Sequence, residues 1–106
     1  MHIFDYNLND HDLDYQPNDL YDFDFWITVN VGDGVAGCLY QVYVCTPLSI
    51  KQIQNKKGCF VIDEWEGLDP LVAEMNEFIR MVLDENQSDD PYFVLSKYWL
   101  WEYSRD

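Results

Sequence analysis

Between Asp24 and Cys45 the chain alternates apolar and polar side chains along two runs separated by glycines. Phe25, Ile27, Val29 and Val31 alternate with Asp24, Trp26, Thr28 and Asn30. A period of two is the signature of a strand with one buried face. Gly32-Asp33-Gly34 and Gly37 supply a turn able to take positive φ, and residues 38–45 return as a β-branched and aromatic run. The two runs predict an antiparallel hairpin with Cys38, Tyr40, Val42 and Val44 facing a core and Trp26 on the polar side. Whatever the rest of the chain does, it must cover one side of this hairpin.

The remaining pattern supplies the cover. Leu68, Leu71, Val72, Met75, Phe78, Ile79 and Val82 recur at three and four residues, which predicts an amphipathic helix from a cap at Asp69-Pro70 to about Glu85. Its polar side would carry Glu74, Glu77 and Arg80. Thr46-Pro47 reads as an N-cap with proline at the first helical position, opening a short helix that closes near Gly58 with Ile50 and Ile53 inward. Asp90-Pro91 repeats that signal for a short helix to about Lys97. Residues 1–6, 59–62 and 99–103 read as brief strands, and residues 7–22 as an irregular acidic loop bearing tyrosines. The expected fold is α+β, a mostly antiparallel sheet of four to five strands packed against one long and two short helices. Residues 1–106 form one domain in this reading, with 1–22 as an acidic N-terminal segment.

Charge narrows the partners. Twenty Asp and Glu oppose six Lys and Arg, a formal net charge of -14, and the first fifty residues contain no Lys or Arg at all. Affinity for nucleic acid comes mainly from cationic side chains displacing counterions, so no direct nucleic-acid partner is expected. Anionic membranes are disfavoured for the same reason, and the uncharged stretch 35–50 contains turn and polar residues unlike a membrane span. A basic protein fits the sign, although such charge also serves plain solubility. The acidic stretch is rich in aromatics, among them Tyr6, Tyr15, Tyr21, Phe23, Phe25 and Trp26, so it can pack as well as repel. Cys38, Cys45 and Cys59 show no CxxC spacing and follow no signal segment, which reads as a reduced, cytoplasmic chain with cysteines as small apolar residues.

Residues for catalysis are sparse. His2 and His11 are the only imidazoles, and no nucleophile elbow, zinc-helix, phosphate-loop or dinucleotide motif occurs. Asp10-His11-Asp12-Leu13-Asp14 imitates the start of a calcium loop, but the sixth and twelfth positions hold Tyr15 and Tyr21 in place of glycine and glutamate. The expectation is a protein that is not an enzyme and uses no cofactor or metal. What remains is binding chemistry, with carboxylates for bidentate arginine contacts and aromatic anchors beside them.

The strand run 25–31, the Tyr43-Val44-Cys45-Thr46-Pro47 junction, the long amphipathic helix and the closing Trp101-Glu102-Tyr103 together resemble immunity protein family eight of bacterial polymorphic toxin systems. The resemblance spans roughly residues 20–106. It implies a small cytoplasmic α+β protein that binds and neutralises the C-terminal toxin domain of a cognate toxin, including in contact-dependent growth inhibition. Such toxins are often nucleases with a basic cleft, which an acidic protein can cover. An acidic nucleic-acid mimic regulating a basic nucleic-acid-binding protein is the alternative that predicts the same surface. The expected partner-binding residues are Asp10, Asp12, Asp14, Tyr15, Asp19, Tyr21 and Asp22, then Asp63, Glu64, Trp65 and Glu66, with Trp26 and Glu102.

Overall fold

The computed structural model describes residues 1–34, 37–51 and 59–101. Among them the elements run β1 (His2–Leu8), β2 (Asp24–Gly32), β3 (Gly37–Cys45), α1 (Pro47–Ile50), β4 (Cys59–Val61), α2 (Leu68–Glu85), α3 (Pro91–Leu95) and β5 (Leu100–Trp101). The fold is α+β, as the patterning predicts, with a sheet ordered β1-β2-β3-β4 and β5 also paired to β3. Three of its four strand pairings are antiparallel; β3 and β4 run parallel. Between those two lies a connection of about a dozen residues, near the shortest that a parallel crossover tolerates.

The hairpin register explains the core. Phe25 pairs with Val44, Ile27 with Val42, Val29 with Tyr40 and Val31 with Cys38, so one side of both strands is apolar throughout. All but the half-buried Cys38 are buried. Leu71, Met75 and Ile79 of α2, with Leu95 of α3 and Trp99, close over this side. Burying side chains of this size contributes roughly 1.5–3 kcal/mol each. The opposite side carries Asp24, Trp26, Thr28 and Asn30 from β2 and Leu39, Gln41 and Tyr43 from β3, none of them fully buried.

Several boundaries differ from the sequence expectation for local reasons. Strand β1 continues past residue 6 because Leu8 pairs with Ile27 and buries its side chain. Helix α2 begins behind Gly67 at a φ of 110°, so Asp69 stands in the first turn instead of capping it. In the turn α1 the buried side chain is Ser49, with Ile50 only half-buried; Ile53 and the expected helix end near residue 58 lie outside the described residues. Ser49 closes a capping box with Thr46, and its hydroxyl donates to the Phe23 carbonyl at 2.8 Å. The Phe23 N–H in turn donates to Thr46 Oγ1 at 3.2 Å. The Thr-Pro junction is thus a clamp between the end of β3 and the entry to β2. Asp90 caps α3 as expected, accepting from the Tyr92 N–H. Trp99, expected on the last strand, lies before β5 in the core.

All three described cysteines are free thiols. Cys45 is buried, and its pKa is raised by that burial and by the neighbouring Cys59 thiol.

Candidate functional site

The acidic segment is a tethered loop. It leaves β1 at Asn9, whose N–H donates to the Trp26 carbonyl at 3.1 Å and whose Oδ1 accepts from the Thr28 hydroxyl at 2.8 Å. A turn at residues 12–15 follows, with the Tyr15 N–H donating to the Asp12 carbonyl. Tyr15 then turns inward. Its ring lies 5.2 Å from Phe25 and 5.6 Å from Trp65, and His11 stacks on it at 4.1 Å. Burial and the Asp24 charge raise the Tyr15 phenol above its ordinary value, so it stays neutral. Near the loop's end, Asp19 Oδ1 accepts from the Tyr21 N–H at 2.9 Å, an Asx-type turn.

Trp65 joins the two acidic segments. Its backbone N–H donates to the Leu20 carbonyl at 2.8 Å, and its ring meets Phe23, Phe25 and Tyr15 edge-on. Such edge-to-face pairs add about 0.5–1.5 kcal/mol each beyond their buried area. The residue is only 7% exposed. This corrects the expectation that Trp65 is a surface anchor: an indole between two glutamates reads as exposed, but three rings from other segments enclose it. Tyr15, half-buried in the same cluster, is likewise mainly a packing residue. The cluster nevertheless brings the two predicted segments together. Asp10, Asp12, Asp14, Asp19, Tyr21 and Asp22 on one side and Asp63 and Glu66 on the other are exposed, and Glu64 is half-buried.

Few cations oppose these carboxylates. Lys51, Arg80 and Lys97 are the basic side chains among the described residues, and the one ion pair there joins Arg80 to Glu77 on the surface of α2. Lys97 lies over the Phe93 ring at 5.3 Å. Among the described residues no three His, Cys, Asp or Glu side chains converge to hold a metal. The string at residues 10–14 instead borders a shallow depression of about 430 Å³ lined by Asn9, Asp10, His11 and Asp12.

Trp26 occupies a different aspect, the sheet side away from the helices. There it meets Tyr43 directly across the hairpin, the ring centroids 4.8 Å apart and tilted by 45°. Asp24 lies diagonally across the hairpin from Tyr43, whose pKa is pushed up to about 12 by burial first and by that carboxylate second. The sequence reading missed Tyr43 and Asp24 as site residues, yet the signal was present. Strand parity places Tyr43 opposite to Tyr40, Val42 and Val44, on the same side as Trp26. Glu102 lies outside the described residues.

No protein-family model, curated protein sequence or solved structure matches the chain. Among the described residues no helix is long and apolar enough to cross a membrane.

Proposed function

We propose that the protein is an immunity protein that binds and neutralises a basic bacterial toxin domain, as its resemblance to immunity family eight implies. The observation that supports this most is the tethered acidic loop, residues 9–22, fastened beside residues 63–66 with no described cation paired to either. A loop held by hydrogen bonds and an aromatic cluster presents its carboxylates without a large ordering penalty, which is what a tight stoichiometric binder requires. Unpaired surface acids also steer a cationic partner, speeding encounter at low salt. The site offers a charged, aromatic contact surface, and inhibition follows from occupying the toxin's basic cleft.

The deciding experiment pairs this chain with the product of the adjacent gene, tested as the candidate toxin. Co-expression should rescue growth and the two purified proteins should form a salt-sensitive complex. Reversing Asp10, Asp12, Asp14, Asp19 and Asp22 to Lys should weaken that complex at least tenfold while far-UV circular dichroism stays unchanged. Affinity indifferent to both the reversal and added salt would overturn the reading. Capture of a housekeeping nucleic-acid-binding protein, with no rescue from any toxin, would favour the mimic instead.

A further inference from the structure

Three sets of groups stand outside the acidic loop: the apolar depression along α2 at Phe60, Phe78 and Met81, the Cys45 and Cys59 thiols, and the sheet side bearing Trp26, Tyr43 and Asp24. The depression is bordered by Glu77, Arg80 and Asp84, charges of both signs that select no partner. The thiols lie where Cys45 is fully buried and closed to reagents. The sheet side is different because its parts agree on one chemistry.

We infer that Trp26, Tyr43 and Asp24 form an arginine-selective subsite, in which a guanidinium from a cationic partner lies against the paired rings and hydrogen-bonds the Asp24 carboxylate. Trp26 and Tyr43 are directly opposed in the hairpin, both half-buried, so part of each ring faces outward. Asp24 is exposed at the start of β2, on the same side. Asp24 stands two residues from Trp26 on the same side and diagonal to Tyr43, so its carboxylate borders the ring pair. A carboxylate has about four acceptor positions, so room remains for an incoming fork of N–H donors.

Charge complementarity identifies the occupant. From β2 and β3 the other side chains on this side, Thr28, Asn30, Leu39 and Gln41, are uncharged, the charge that β1 adds there, Asp5 opposite Asn30, is negative, and none of the three described cations belongs to these strands. A flat delocalised cation gains from ring faces and from a planar bidentate contact at once. An ammonium offers a compact charge that stays more strongly hydrated and cannot make that planar contact. The site therefore discriminates between two side chains of equal charge, which the acidic loop cannot do. Asn9 binds the Trp26 carbonyl, so the subsite adjoins the start of that loop.

This inference rests on the proposed binding of a cationic protein, and capped hexa-arginine and hexa-lysine peptides of equal charge separate the two. In calorimetric titrations at moderate salt the wild-type chain should bind hexa-arginine roughly three- to tenfold more tightly than hexa-lysine. Resonances of the Trp26 indole N–H and the Tyr43 ring should shift only with the former. Trp26→Leu and Asp24→Asn should each bring the ratio close to one while hexa-lysine affinity changes less than twofold, and Trp26→Phe should keep most of the preference. Equal affinity for both peptides in the wild-type chain, or an arginine preference that survives Trp26→Leu in a folded variant, would refute the subsite and leave the loop-based reading standing. Toxin binding that ignores the five loop reversals would remove the broader reading, whatever the peptide ratio shows.

Discussion

Trp65 shows how a single side chain can be misread from its neighbours. Flanked by Glu64 and Glu66, it is buried because Tyr15, Phe23 and Phe25 converge on it from forty or more residues away in sequence. Trp65→Ala should remove about 3–5 kcal/mol of stability in a urea titration, the usual range for emptying a large aromatic site. The same change should make residues 9–22 more susceptible to limited proteolysis, since that loop loses its inner wall. Ser49 is the quieter case. Its hydroxyl meets the Phe23 carbonyl and the Thr46 backbone within a buried corner, so Ser49→Ala should cost about 1–3 kcal/mol. At Tyr43 the effect depends on pH. Its folded pKa of about 12 exceeds the ordinary value of 10.0, so the folded state holds this proton more firmly than the unfolded state does. Its contribution is complete below pH 10 and declines as pH rises through about 12. Tyr43→Phe should flatten that part of the stability curve, measured by denaturant unfolding at successive pH values.

At the level of elements, periodic patterns carried the most information. The β2 and β3 alternation and the α2 repeat place their buried residues correctly because each has a single water-facing side and a long enough run to show it. The short strands at 59–62 and 99–103 were legible as strands, but their pairing was not. Strands β4 and β5 hold three and two residues and owe their existence to β3, whose outer backbone edge they satisfy. No local pattern can announce a partner that far away. The acidic segment was legible as a loop from residue 9 onward, residues 7 and 8 belonging to β1, but its tethers involve Asn9, Tyr15 and Leu20, residues whose contacts come from other elements. An element-level device protects β1 as well. The Ile3 N–H, at the irregularity before Asp5, donates to Asn76 Oδ1 of α2 at 2.8 Å. Asn76→Ala should destabilise the domain by about 1 kcal/mol and hasten hydrogen exchange along β1 more than along β2.

For the whole molecule, a net charge of -14 on 106 residues opposes compaction, and the hydrophobic core outweighs it. Neutralising Asp10, Asp12, Asp14, Asp19 and Asp22 to Asn takes the formal charge from -14 to -9, since five negative charges are removed. The variant should melt no lower than the wild type at low salt, and the difference should fade near 1 M, where the screening length falls to about 3 Å. Under the proposed binding role, function and stability would pull in opposite directions at the same carboxylates. The sheet's outer edge has a further consequence for how this chain is made. Strand β3 is flanked on that side by β4 over residues 43–45 and by β5 over residues 40–41, laid end to end. During synthesis the hairpin and α2 emerge well before residues 100 and 101 do. Until those two dock, Tyr40 and Gln41 present bare backbone donors and acceptors to any extended chain nearby. The nascent domain is therefore most open to mispairing in the interval before β5 arrives, when the hairpin has formed but Leu95 and Trp99 have only just joined the core.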